Sequence, residues 1–336
     1  MSRHTRTLVV SADSPDPDAI AEAAAILRGG GLVAFATETV YGLGADATSS
    51  RAVDAIYRAK GRPSSNPLIV HVDSVESARP LAAIWPDLAE ALATRFWPGP
   101  LTIVLPKTDR IADNATGGGD TVGLRVPRPK VARDLIARAC LPIAAPSANR
   151  SLRVSPTQAR HVAKDLNGRI DLILDSGPTS LGLESTVLDL TTDPPAILRP
   201  GTISPDDLAE IFGFLPKIRL RRASDGLARS PGLTHVHYAP TTPAYRVQIE
   251  DLAEYPRPDR AGLLLVGATM PRSALGFAHR IELLTPDFAE PAVYDALHRL
   301  DELGLDALLI VLPPEETRWV ALTDRLLRAT RPLPPL

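Results

Sequence analysis

Along the first two thirds of the chain, short apolar runs of strand type alternate with stretches whose apolar residues recur at helical spacing. The runs Leu32–Phe35, Leu68–Val72, Leu101–Leu105, Val122–Val126, Ile143–Ala145, Leu172–Leu174 and Thr186–Leu190 read as strands. Asp18–Arg28, Arg51–Lys60 and Asp87–Phe96 read as helices. Gly29–Gly31 closes the first helix, and Gly61-Arg62-Pro63 breaks the second. Such a chain has to bury its strands beneath its helices, so the predicted class is α/β, a twisted sheet flanked by helices.

At 336 residues there is chain for two domains. Composition shifts near Leu215, where an Arg-, Ser- and Gly-rich stretch without periodicity begins. The expected division is a first domain over 1–215, a linker over 216–243 and a small α/β domain over 244–336. In the last of these, Ala261–Val266, Arg280–Leu284 and Leu308–Leu312 read as strands, and Pro291–Leu303 and Glu315–Ala329 as helices. The Pro-rich tail Arg331–Leu336 is expected to fray. A formal charge of −2 gives no global basic field for nucleic acid. One cysteine rules out a disulfide framework and a Cys/His zinc site, and Cys140, within an apolar run, is expected to be a buried inert thiol. No apolar segment follows the basic residues at the N-terminus, and no run approaches a membrane span, so a soluble cytoplasmic protein is the expectation.

Five polar clusters interrupt this pattern. Thr37-Glu-Thr-Val-Tyr-Gly-Leu-Gly44 follows a strand, where hydroxyls and close backbone approach suit a ligand. Lys60-Gly-Arg-Pro-Ser-Ser-Asn-Pro-Leu-Ile-Val-His71 projects two cations from a kinked loop, Arg62 with a planar fork and Lys60 as a point charge. It lacks the Walker pattern. Arg125, in the apolar strand of Thr121-Val-Gly-Leu-Arg-Val-Pro127, must meet either a buried acid or an anionic ligand. Ala145-Pro-Ser-Ala-Asn149 with Ser155, and Glu184-Ser-Thr-Val with Arg199-Pro-Gly201, add small donors after strands. Together the clusters supply four cations and several hydroxyls without a metal cage or a paired-carboxylate set. A site of that character binds a polyanion and a carboxylate and works by positioning and charge stabilisation.

Taken in order, Thr37–Gly44, Lys60–His71, Arg125-Val-Pro127, Pro146-Ser-Ala-Asn149, Ser185-Thr-Val187 and Leu198-Arg-Pro-Gly201 resemble the YrdC-like domain of L-threonylcarbamoyladenylate synthases. Ser230-Pro-Gly232 with His237-Tyr-Ala-Pro240 resembles the linker of the two-domain members. The resemblance implies a YrdC-like twisted mixed sheet with a deep cavity, followed by a small Rossmann-like C-terminal α/β domain. It implies that Thr39, His71, Arg125 and Ser185 contact threonine. It places Arg62, Asn66, Thr121, Ala145 (through its backbone), Ser147, Ser155 and Arg199 along ATP, and Tyr238 over the nucleotide as part of a lid formed by Ser230–Pro240. Lys60, Arg62 and Arg125 are the charges implied to act in catalysis. The chain departs from the family's usual pattern at Ala36, at His235 and Val236 in the linker, and at Thr317-Arg-Trp-Val320 and Asp324-Arg325 in the last helix.

The implied activity is synthesis of L-threonylcarbamoyl-AMP from L-threonine, bicarbonate and ATP, the first step of N6-threonylcarbamoyladenosine formation in tRNA. Mg2+ is expected on the ATP phosphates rather than in a protein cage. The product is expected to pass to a threonylcarbamoyl transferase complex acting on tRNA. Neither stable tRNA binding nor a membrane partner is expected. The competing readings are a carbamoyltransferase that forms a carbamoyl-adenylate and a non-catalytic RNA-binding module. Near-neutral charge and few aromatics weigh against the second.

Overall fold

Local rules place the helices of the first part of the chain. Asp16 accepts a hydrogen bond from the Asp18 N–H and Pro17 opens α1 (Pro17–Arg28), which buries Ala19, Ile20, Ala23, Ala24 and Leu27. Ser49 caps α2 (Ser50–Lys60), and Gly61 ends it in the left-handed conformation. α3 (Val75–Ala78) and α4 (Asp87–Phe96) follow. α5 (Lys130–Ala139), α6 (Ala159–Leu166) and α7 (Pro205–Phe212) complete this part, and none of these three was expected from the sequence. The computed structural model describes residues 4–219, 237–256, 258–272 and 276–334.

The chain separates into two compact units. The first takes residues 1–151, 156–180 and 184–233. Its strands are β1 (Arg6–Val9), β2 (Val33–Ala36), β3 (Tyr41–Asp46), β4 (Ile69–His71), β5 (Leu101–Pro106), β6 (Thr121–Arg125), β7 (Ile143–Ala144), β8 (Leu172–Asp175), β9 (Thr186–Asp189), β10 (Ala196–Arg199) and β11 (Lys217–Ile218). They form one mixed sheet in the order β1-β8-β2-β3-β7-β4-β6-β5-β9-β10-β11. Alternation along each strand divides the core in two. Val33 and Phe35 pack with α1 and α5, while Ala34 and Ala36 join the larger cluster containing Ile56 of α2, Leu92 of α4 and Val162 of α6.

The second unit takes residues 234–336 together with Leu152–Ser155 and Leu181–Leu183. Its strands β12 (Ala244–Val247), β13 (Ala261–Val266), β14 (His279–Leu283), β15 (Ala307–Val311) and β16 (Arg331–Pro332) form a wholly parallel sheet in the order β14-β13-β15-β12-β16. The central β13 and β15 are buried at every residue, as the continuous apolar runs of a parallel sheet require. α8 (Pro286–Asp301) and α9 (Val320–Ala329) accompany it. Among the described residues no helix is long and apolar enough to cross a membrane.

Three expectations need correction. Cys140 is exposed, because the run Leu135–Ala145 is divided between the end of α5, a turn and β7, and Cys140 occupies the turn in left-handed backbone. The tail does not simply fray, since Arg331 and Pro332 pair with Tyr245 and Arg246 of β12. The helix expected to start at Pro291 starts at Pro286 and carries Pro291 inside it. Of the expected linker, Lys217 and Ile218 pair with β10, and residues 220–236, with most of the expected lid, lie outside the described residues.

Candidate active site

The clusters that the sequence scatters are brought together by strand register. His71 of β4 lies opposite Arg125 of β6, and Ile103 of β5 lies opposite Leu124, which sets Thr102 beside Arg125. Thr102 lies opposite Val187 of β9, and Val187 opposite Arg199 of β10. Residues abreast on neighbouring strands share a face. His71, Arg125, Thr102 and Arg199 therefore form one lateral row, and Ser185, two residues before Val187, shares its face. The opposite face of β6, Val122 and Leu124, is buried in the main core, while Thr121 and Gly123 on the row's side remain partly open. A Cβ at Gly123 would sit 3.1 Å from the Thr102 methyl, so this glycine keeps the floor low.

Every member of the row is buried. Arg125 Nε donates to Gly99 O at 3.1 Å and its Nη1 to Thr39 Oγ1 at 3.0 Å. Thr39 Oγ1 lies 2.8 Å from Thr37 Oγ1, within the four-residue turn between β2 and β3. The question the sequence leaves about Arg125 is answered by a buried acid: Glu38 Oε1 stands 2.9 Å from Arg125 Nη2. Arg199 donates to Ser185 O and Ser185 Oγ, both at 3.1 Å, and Ser185 Oγ lies 2.8 Å from Thr102 Oγ1. A Cβ at Gly201 would fall 2.4 Å from Thr186 N, so only glycine lets the exit of β10 lie against the entry of β9 here. Burial, with the charges of Arg125 and Arg199, pushes the His71 imidazole down to about 3. The ring is neutral at physiological pH, and its Nδ1 has no hydrogen-bond partner among the described residues.

The residues expected along ATP gather around the entry to β4. Arg62 donates through Nη2 to Pro67 O at 3.1 Å and through Nε to Asn66 O at 3.4 Å, so the kinked loop closes on its own arginine. The Lys60 ammonium donates to Ser147 O at 2.6 Å, to Asn149 O at 2.5 Å and to Asn149 Oδ1 at 3.3 Å. Burial, aided by Arg62, holds this amine well below the usual lysine range. Lys60 thus ties the end of α2 to the 147–149 loop. Ala145 N donates to Ile69 O at 2.9 Å, Ser147 bridges to Gly42, and Thr121 opens β6 opposite Pro106.

Two expected residues belong to the second unit. Ser155 is fully buried and its carbonyl faces His298 Nε2 at 3.1 Å. Tyr238 is buried with a φ of 61°, packed edge-on against His237, stacked on Tyr294, and covered by the Arg325 guanidinium 5.2 Å from its ring.

A family model described as telomere recombination, that of the Sua5, YciO and YrdC proteins, matches residues 25–201. A second, described as the C-terminal domain of threonylcarbamoyl-AMP synthase, matches residues 203–330. The threonylcarbamoyl-AMP synthase of Pyrococcus abyssi is 40% identical over 323 residues, 92% of this chain and 93% of that protein. That of Bacillus subtilis is 41% identical over 328 residues, 94% of this chain and 93% of its own length. The chain belongs to the threonylcarbamoyl-AMP synthase family. The crystal structure of P. abyssi Sua5 complexed with L-threonine matches with a TM-score of 0.89 and 39% identity over 97% of each chain.

The structure also brings Glu38, Thr102 and Asn149 into contact with the expected site residues, and none of the three was among those expected. Glu38 lies inside the quoted Thr-Glu-Thr motif, and an acid beside two threonines after a strand was the available signal. Thr102 gave none, since one threonine in an apolar strand is unremarkable until register places it beside Arg125 and Ser185.

Proposed function

We propose that this chain makes L-threonylcarbamoyl-AMP from L-threonine, bicarbonate and ATP with release of pyrophosphate, the first step of N6-threonylcarbamoyladenosine formation in tRNA. The observation that carries the reading in this molecule is the lateral row, with a neutral His71 at one end, the buried Arg125 guanidinium beside it and the buried Arg199 at the other end. Such a row offers fixed positive charge and a neutral acceptor in a place where water competes poorly.

Arg125 takes the threonine carboxylate, and Thr39, His71 and Ser185 position the rest of the amino acid. The threonine ammonium first gives up a proton to solvent; the neutral amine then attacks bicarbonate, forming a C–N bond and losing water to leave a carbamate. A carbamate oxygen then bonds to the α-phosphorus of ATP. The bond from that phosphorus to the bridging oxygen breaks, and pyrophosphate leaves with the electron pair. Arg62, Asn66, Thr121, the Ala145 backbone, Ser147, Ser155 and Arg199 serve the nucleotide, and Lys60 supports them through the 147–149 loop. Tyr238 closes over the nucleotide with the lid, excluding water from the carbamate and the mixed anhydride. Loss of product yield per ATP consumed in Tyr238→Ala and in a truncation at Leu215 tests that closure. Mg2+ enters on the ATP phosphates. The enzyme works in the cytoplasm and passes its product to a transferase complex acting on tRNA.

The deciding experiment is incubation with ATP, magnesium, bicarbonate and threonine, with mass spectrometry of the adenylate and assay of pyrophosphate. Pyrophosphate release that requires threonine is the expected result. Release that requires carbamoyl phosphate instead identifies a carbamoyltransferase, and no release with either substrate leaves a binding module.

A further inference from the structure

The pair formed by Arg125 and Glu38 is unusual in how each partner is held. Arg125 is oriented by Gly99 O and Thr39 Oγ1, and Glu38 by the Arg128 N–H, which donates to Oε2 at 3.1 Å. Neither needs the other for its position. Their facing atoms, Nη2 and Oε1, are 2.9 Å apart, yet the two are not aligned as a hydrogen bond, and neither atom has any other hydrogen-bond partner among the described residues. The side chains are 4% and 2% exposed, so bulk water does not fill this deficit. Buried polar atoms are seldom left with spare capacity, and exceptions point to a ligand or to strain. Here a cationic donor and an anionic acceptor stand side by side, each fixed and each under-used.

The molecule that complements this pattern carries a carboxylate and an ammonium one carbon apart, which is the zwitterionic end of an α-amino acid. We infer that Glu38 recognises the ammonium of the amino-acid substrate while Arg125 recognises its carboxylate, which makes Glu38 a specificity-determining residue for this site. The inference rests on the proposed pairing of Arg125 with the substrate carboxylate. It adds that a 2-hydroxy acid, which presents a carboxylate but no cation, is rejected because it sets a second negative charge beside Glu38 and offers nothing to it. Rejection of this kind is strong where a buried charged acceptor is left unpaired.

The test measures binding of three probes to the full chain by calorimetry: L-threonine, 2,3-dihydroxybutyrate with the amine replaced by hydroxyl, and threoninol with the carboxylate reduced. The wild type should prefer threonine to the hydroxy acid by about ten-fold to a hundred-fold. In Glu38→Gln, threonine should weaken by a similar factor while the hydroxy acid holds or tightens, so the preference collapses. Arg125→Ala should lose threonine and the hydroxy acid alike and leave threoninol unchanged. A parallel loss of threonine and hydroxy acid in Glu38→Gln makes Glu38 merely structural and overturns the inference. Undiminished threonine binding in Arg125→Ala instead overturns the carboxylate reading beneath it. Should Glu38→Gln not fold, the wild type alone decides, since hydroxy acid bound as tightly as threonine overturns the inference without any variant.

Discussion

Each unit of the molecule buries an arginine beside a carboxylate, and the two pairs are built to different ends. In the second unit Arg325, 1% exposed, donates through Nη1 to Asp324 Oδ2 at 2.6 Å, while Oδ1 of the same carboxylate takes Arg328 Nε and Nη2, each at 2.9 Å. Both oxygens are engaged, and the Arg325 guanidinium also covers the ring of Tyr238. In the first unit the facing atoms of Arg125 and Glu38 are close and unaligned. A saturated buried pair fixes structure, because breaking it strands a charge. A buried pair whose facing atoms lack aligned hydrogen bonds keeps its charges for a ligand. Burial and distance alone would class the two together, and hydrogen-bond alignment separates them.

The largest expected effect sharpens this contrast. Arg125→Ala should cost about 3–5 kcal/mol of threonine recognition, a drop of a hundred-fold or more in kcat/KM for threonine, with ATP binding near wild type. Arg325→Ala should place a cost of the same order on folding of the second unit, visible as a lowered unfolding midpoint, with the threonine KM near wild type. If threonine KM moves equally in both variants, the division between ligand pair and scaffold pair is wrong. Next in size, Lys60→Ala and Arg62→Ala should each weaken ATP binding or slow adenylate formation by roughly 1.5–3 kcal/mol, the worth of a charge-assisted contact. Wild-type nucleotide kinetics in both would move the ATP site elsewhere.

What the sequence made legible follows the same division. Strands with nearly continuous apolar runs, such as β5, β13 and β15, fall within a residue or so of their expected limits, because their burial on both faces is written in almost every position. β3 was missed because Tyr41-Gly-Leu-Gly44 looks like loop; its glycines are tolerated because Phe35 and Ala145 crowd against them. α5 and α6 begin at Lys130 and Ala159 without a side-chain cap, so the usual start signal was lacking. The charged members of the site were legible because a cation in an apolar or kinked segment demands an explanation. Their arrangement was not, since the row from His71 to Arg199 depends on pairing between strands as far apart as β4 and β10. Glu38 could be named from its motif, but only distance reveals that it faces Arg125.

A smaller effect comes from His71. Its unfolded form takes a proton near 6.5, and its folded form only near 3. Between those values the unfolded state holds one more proton. The contribution to stability is therefore complete above pH 6.5 and is lost as pH falls toward 3, by about 1.4 kcal/mol per pH unit. His71→Gln should flatten that slope in the first unit, followed through Trp85 and Trp97. An unchanged slope would assign acid sensitivity to other groups.

The smallest effect has the opposite sign and belongs to the second unit. Glu290, half-buried in α8, has its carboxyl pushed up to about 7 by burial and then by the charge of Asp287, with Arg325 opposing. Between the ordinary value of 4.5 and 7 the folded state holds the extra proton. Its contribution is therefore complete below pH 4.5 and is lost as pH rises through 7. Partial exposure lets solvent screen this charge, so the slope should be shallower than that of His71. Across pH 4.5–6.5, acidification should weaken the first unit and strengthen the second. Trp319 is the second unit's single tryptophan, so a chain with Trp85→Phe and Trp97→Phe follows it alone. Its unfolding midpoint should fall from pH 5 to pH 7.5, and Glu290→Gln, which is neutral throughout, should remove that fall and raise the midpoint at pH 7.5. A midpoint that rises with pH in the Trp319 chain, as expected for the first unit, would mean that the two units share one titration and that their buried charges do not act separately.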